Sequence, residues 1–141
     1  MTAELIKRVH LSVFDETLMR KLLRATERIE RCPKKLHTSV AIVSNTEIRK
    51  WNALYRRKNY ATDVLSFRYS ATEAEIIISA QKVRAQAKEY GNTQTEEAAF
   101  LFVHGVLHNL GWDHERSEKE ARQMREKEVK ILNLCGLHCA R

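Results

Sequence analysis

The segment His104-Gly105-Val106-Leu107-His108-Asn109-Leu110-Gly111-Trp112-Asp113-His114 holds three of the chain's six histidines and limits the fold more than any other stretch. His104 and His108 are four residues apart, so on a helix they share one face, one turn from each other. Gly111 admits a left-handed backbone that turns the chain back and returns His114 to the same point. The fold must therefore supply a helix end, a reversal and a third imidazole around one position. Single histidines on helices are usually surface or satisfied core residues; three at this spacing point to a metal. Three neutral imidazoles suit one zinc ion per chain and leave a fourth position open, the arrangement of a catalytic site. They also leave the ion's charge uncompensated, which favours an anionic phosphate.

The rest of the chain has to build a core behind that helix. With 141 residues, 43% of them apolar, residues 1–141 form a single domain large enough to do so. Charged residues make up 30%, and no apolar run approaches the ~18–20 residues of a membrane span. The opening MTAELIKRVH lacks the pattern of a signal peptide. Cys32, Cys135 and Cys139 are too few for a disulfide framework and suit a reducing, cytoplasmic setting. A net charge of +7 gives a modest push toward a polyanionic partner.

Periodicity predicts an α/β chain of about four strands and four to five helices. Val9-His10-Leu11-Ser12-Val13 alternates as a strand, and Asp15 caps a helix to about Arg31, which Pro33 cannot continue. Ser39 to Ser44 reads as a second strand, followed by a helix through Trp51 and Tyr55 with Ser44 and Glu47 at capping-box spacing. Asp63 to Tyr69 and Glu75 to Ser79 read as neighbouring strands joined by a short turn. Helices follow from Ser79 to Tyr90, from the Thr93/Glu96 capping box to Leu110, and from Ser117/Glu120 to before Gly136. In the last of these, Met124, Val129 and Leu132 are expected to face inward.

The histidine segment is similar to the metzincin peptidase pattern H-E-x-x-H-x-x-G-x-x-H, but Gly105 stands where those enzymes carry their glutamate base. A zinc peptidase is therefore the weaker reading. The same segment resembles more closely the H-G-x-L-H-L-x-G-x-D-H signature of the YbeY family of ribosomal-RNA maturation endoribonucleases. Asn52-x-x-Tyr55-Arg56 followed by Ala61-Thr62-Asp63-Val64-Leu65-Ser66-Phe67 resembles that family's second motif, and Glu75-Ile76-Ile77-Ile78-Ser79 its G-D-I-x-I-S strand. Ala61, Ala74-Glu75 and Asn109 depart from the family's proline, Gly-Asp and leucine.

The resemblance implies one α/β domain with helices on a four-stranded, mostly parallel sheet and a metzincin-like metal helix. It implies a metal-dependent, single-strand-specific endoribonuclease in maturation of the 3′ end of small-subunit ribosomal RNA and in ribosome quality control. The expected partners are ribosomal RNA, the ribosome and small-subunit proteins. His104, His108 and His114 become the zinc ligands and Arg56 the functionally important arginine.

Beyond these four, the residues support smaller expectations. Arg56 is suited to hold a phosphate through its guanidinium. Arg57 and Lys58 contact RNA backbone or simply form a solvated basic face. Asp113 and Glu75 are candidates for supporting the ligands from behind. Glu97 reads as solvent-exposed, and Trp51, Tyr55 and Trp112 are either base-stacking or core aromatics. Cys135-x-x-His138-Cys139 is one ligand short of a second site. The alternative function is a ribosome-associated RNA-binding protein whose zinc is structural.

Overall fold

A computed structural model describes residues 1–31 and 35–140. Four strands form one sheet: β1 (Thr2–Lys7), β2 (His37–Val43), β3 (Val64–Arg68) and β4 (Glu73–Ser79). Their order is β1-β2-β4-β3, with β1, β2 and β4 parallel and β3 antiparallel at one edge. The helices are α1 (Glu16–Glu30), α2 (Asn45–Arg56), α3 (Ala80–Tyr90), α4 (Gln94–Asn109) and α5 (Glu118–Leu134). The expected mixed α/β sheet is present. No helix among the described residues is long and apolar enough to cross a membrane.

Alternation in the strands assigns the two sheet faces. Val40, Ile42, Ile76 and Ile78 join the main core with Leu22 of α1, Phe102 of α4 and Ile131 of α5. On the other face Val43, Leu65 and Ile77 pack with Ile48 of α2 in a smaller cluster. Helix α4 is buried along almost its whole length, which explains its nearly continuous apolar run. Its backbone lies so near β4 that a Cβ at Gly105 would meet three Ile76 side-chain carbons at 3.2, 3.2 and 3.3 Å.

Each helix starts on the cap its sequence offers. Asp15, Ser44, Ser79, Thr93 and Ser117 accept from the N–H groups of Leu18, Glu47, Lys82, Glu96 and Glu120. Among the described residues only Thr93 and Glu96 close both halves of a capping box, a contribution of about 1 kcal/mol. Pro33, expected just past α1, lies outside the described residues.

Two expectations need correction. The first strand is Thr2–Lys7, not the stretch around Val9 to Val13, because the backbone partners of β2 run from Thr2 to Lys7. The alternation after it belongs to a loop that drops Leu11 into the core ahead of the buried Phe14. In α5, Val129 is 39% exposed, and Glu128 occupies the buried position beside it.

Candidate metal centre

Helix α4 presents His104 and His108 half-buried at its C-terminal end, in a cleft they share with Val64, Leu65 and Ser66 of the edge strand β3. The reversal after it is fixed by the backbone: Gly111 N–H donates to His108 O at 2.9 Å and Trp112 N–H to Leu107 O at 3.0 Å. Gly111 takes φ +106°, a conformation that disfavours any side chain. The exposed His114 is thereby carried back to the helix end. Glu120 steadies this loop by accepting from Asp113 N–H at 2.8 Å and from Arg116 at 2.7 Å.

The three imidazoles converge. His108 Nε2 lies 3.1 Å from His104 Nε2 and 3.1 Å from His114 Nδ1. Ligands at ~2.0–2.1 Å from a tetrahedral ion stand about 3.3 Å apart, so the donor set fits a zinc-sized cation. Among the described residues no other group of three or more His, Cys, Asp or Glu side chains converges in this way. Cys135, His138 and Cys139 do not come together as a second site: the Cys135 thiol donates to Lys21 O, and Asn92 donates to Cys139 Sγ.

Protonation states agree with ligation. His104 Nδ1 is 2.5 Å from Glu128 Oε2, and Glu128 is only 3% exposed. A proton on Nδ1 leaves the Nε2 lone pair facing the other two rings. Burial pushes the pKa of His108 down, helped by the neighbouring His104 and His114, which favours the neutral, ligating form. Glu128 belongs to no motif of the sequence. Its signal is a carboxylate in the buried Met124–Glu128–Ile131 series of α5, where the helical period calls for an apolar side chain.

The histidines line a cleft of about 660 Å³ that Arg56, Lys58 and Tyr60 also line. Arg56 donates from Nη2 to Ser66 O at 2.7 Å, and its guanidinium lies 5.0 Å from the Phe67 ring centroid. Edge strand and aromatic ring thus hold it beside the histidines. Arg57 closes α2 in a left-handed conformation (φ 58°) and lies outside the cleft lining. The buried Asn52 donates to Tyr60 O at 2.9 Å and so ties down the loop that carries Lys58.

The remaining candidates separate. Asp113 lines the cleft and accepts from Glu115 N–H at 2.9 Å, so it shapes the His114 loop. Glu75 lies outside the lining: its carboxylate accepts from the Tyr69 hydroxyl at 2.6 Å on the α2 side of the sheet. Trp112 donates to Glu30 at 2.5 Å and lies under Lys127, which holds the indole between α1 and α5. Glu97 is fully buried, contrary to expectation, and accepts from Gln86 at 3.0 Å and Asn92 at 3.2 Å. Gln86 also donates to Asp63, a cleft residue, and so links the buried Glu97 to the cleft. Asn109 is buried and donates to Glu75 O at 3.3 Å, a tie to β4 that a leucine there would lack.

The family model described as Endoribonuclease YbeY matches residues 6–136. An Endoribonuclease YbeY of Carboxydothermus hydrogenoformans is 43% identical, covering 87% of this chain and 90% of its own. One of Thermodesulfovibrio yellowstonii is 42% identical, covering 91% and 82%. The solution structure of TM1509 from Thermotoga maritima superposes with a TM-score of 0.66 at 28% identity, over 95% of this chain and 89% of that one. On the match of both sequence and fold, the chain belongs to the endoribonuclease YbeY family.

Proposed function

We propose that this endoribonuclease is a zinc enzyme that cuts single-stranded RNA and acts in the cytoplasm on the 3′ end of small-subunit ribosomal RNA. The observation that carries the chemistry is the convergence of three imidazoles in the same cleft that Arg56 lines. When bound there, a divalent ion supplies Lewis acidity toward a phosphate oxygen and a lowered pKa for water. His104, His108 and His114 hold it, and Glu128 keeps His104 in the ligating tautomer. Arg56 binds a non-bridging phosphate oxygen and offsets the charge that grows on it during cleavage. Lys58, which lines the same cleft, takes a neighbouring phosphate.

The ribosomal substrate, a role in ribosome quality control and contact with small-subunit proteins are supported by the motif resemblance. The decisive experiment reconstitutes metal-free protein with zinc and offers end-labelled single-stranded and duplex RNA. Zinc-dependent cutting of the single strand, lost in His114→Ala and strongly reduced in Arg56→Ala, supports the reading. Binding without cutting at any metal loading overturns it in favour of a structural zinc. Product ends name the nucleophile: a 2′,3′-cyclic phosphate reports the RNA 2′-hydroxyl, and a 5′-phosphate with a free 3′-hydroxyl reports water.

A further inference from the structure

On the α2 side of the sheet four aromatic rings follow one another. Trp51 and Tyr55 sit one turn apart on α2, and Phe67 and Tyr69 are alternate residues at the edge strand. The ring centroids of Trp51 and Tyr55 are 5.6 Å apart and nearly parallel (13°). Tyr55 meets Phe67 edge-on at 5.5 Å, and Phe67 stacks with Tyr69 at 6.3 Å and 19°. Of the four rings, Trp51 and Phe67 pack against the small cluster beneath, alongside Ala41 and Ala61. Tyr55 and Tyr69 are 57% and 65% exposed, so core packing does not account for them.

The rings are held in place. Trp51 donates to Glu47 at 3.4 Å, Phe67 lies against Arg56, and Tyr69 donates to Glu75 at 2.6 Å. Held rings lose little freedom when a ligand stacks on them. Arg56 belongs to both places: it covers Phe67 and lines the histidine cleft. Arg49, Lys50, Arg57 and Lys58 add positive charge along and just beyond α2. Glu73 and Glu75 lie at the Tyr69 end, where they repel phosphate and set the outer limit of the surface.

We propose that Trp51, Tyr55, Phe67 and Tyr69 form a stacking track for the unpaired bases of the RNA strand that enters the cleft past Arg56. It rests on the reading of single-stranded RNA as substrate and adds where the strand lies beyond the scissile bond. Aromatic stacking accepts any base, so the track selects for unpaired nucleotides rather than for sequence.

The test separates the track from the chemistry. Binding is measured with metal-free protein, which does not require cleavage, using a fluorescent single-stranded RNA and an abasic strand of equal length and charge. Wild type is expected to prefer the intact strand, and Tyr55→Ala and Tyr69→Ala each to weaken it by about fivefold to a hundredfold. Neither is expected to change affinity for the abasic strand, and Tyr55→Phe is expected to retain binding because the ring is kept. Leu54→Ala, on the same helix and 67% exposed, is expected to bind as wild type. Both tyrosines are more than half exposed, and melting curves check that the variants remain folded. Equal affinity of wild type for intact and abasic strands overturns the proposal. So does unchanged binding by both alanine variants, a result that would assign this face to a protein partner. Failure of zinc-dependent cleavage with these binding differences intact would sink the nuclease chemistry and leave the track standing.

Discussion

His104 Nδ1 and Glu128 Oε2 are 2.5 Å apart, and this contact joins the histidine-bearing end of α4 to the middle of α5. With the proton on Nδ1, bonded to this carboxylate, Nε2 of His104 is left to ligate an ion. Glu128→Gln should therefore lower zinc affinity by about 10–100-fold, the range for losing a charged partner behind a ligating histidine. Competition against a chromophoric chelator measures this directly, and unchanged affinity would remove Glu128 from the site's design.

Arg56 is held by Ser66 O and the Phe67 ring, so Arg56→Ala should leave zinc content at the wild-type level. Cleavage should fall by about tenfold to a thousandfold, the effect of removing one fixed charge stabiliser. Arg56→Lys keeps a charge but loses the planar guanidinium that bonds Ser66 O and covers Phe67, so it should recover only part of the rate. Elemental analysis and single-turnover cleavage on the same preparations decide both points.

RNA affinity should fall steeply with salt, given a net charge of +7 and a cleft wall with Arg56 and Lys58. Lys58→Ala should reduce the slope of log affinity against log salt by about one. A slope indifferent to Lys58 would place that ammonium away from phosphate.

The Tyr69 phenol is pushed from 10.0 up to about 12, first by its hydrogen bond to Glu75, then by burial and the Glu75 charge. The folded state therefore favours the protonated ring. Between pH 10 and about 12 the unfolded chain binds fewer protons, so this contribution is intact below pH 10 and is lost as pH rises through that window. The side chain is largely exposed, which keeps the effect on stability small. Titration of phenolate absorbance should show one late tyrosine in wild type that moves toward 10 in Glu75→Gln.

What could be read from the sequence was local. The caps at Asp15, Ser44, Ser79, Thr93 and Ser117 are written within three residues of the groups they satisfy, and each one starts a helix. The histidine triad is local in the same sense, since one helix turn and one reversal bring it together. What escaped depends on partners far along the chain. Strand β1 is defined by pairing with residues 35 positions away, which periodicity near Val9 cannot reveal. Glu128 meets His104 across 24 positions, and Glu97 lies in the core because Gln86 and Asn92 satisfy it there. Even at the caps one departure shows: Glu120 has the spacing to close a box with Ser117, yet its carboxylate reaches back to Asp113 N–H and steadies the His114 loop.

The tight contact between Gly105 and Ile76 bears on how this scaffold can change its trade. Position 105 follows the first metal-binding histidine, where zinc peptidases of the similar pattern place a catalytic glutamate. Here the Cβ direction runs straight into three carbons of a fully buried isoleucine. A glutamate there would bring a carboxylate into the apolar layer between helix and sheet instead of toward a bound substrate. Gly105→Glu alone is therefore expected to place no base in the cleft. The Ile76 side chain would have to give by a few tenths of an ångström to admit any Cβ at position 105, so the spacing of helix and sheet, as well as one missing side chain, separates the two chemistries.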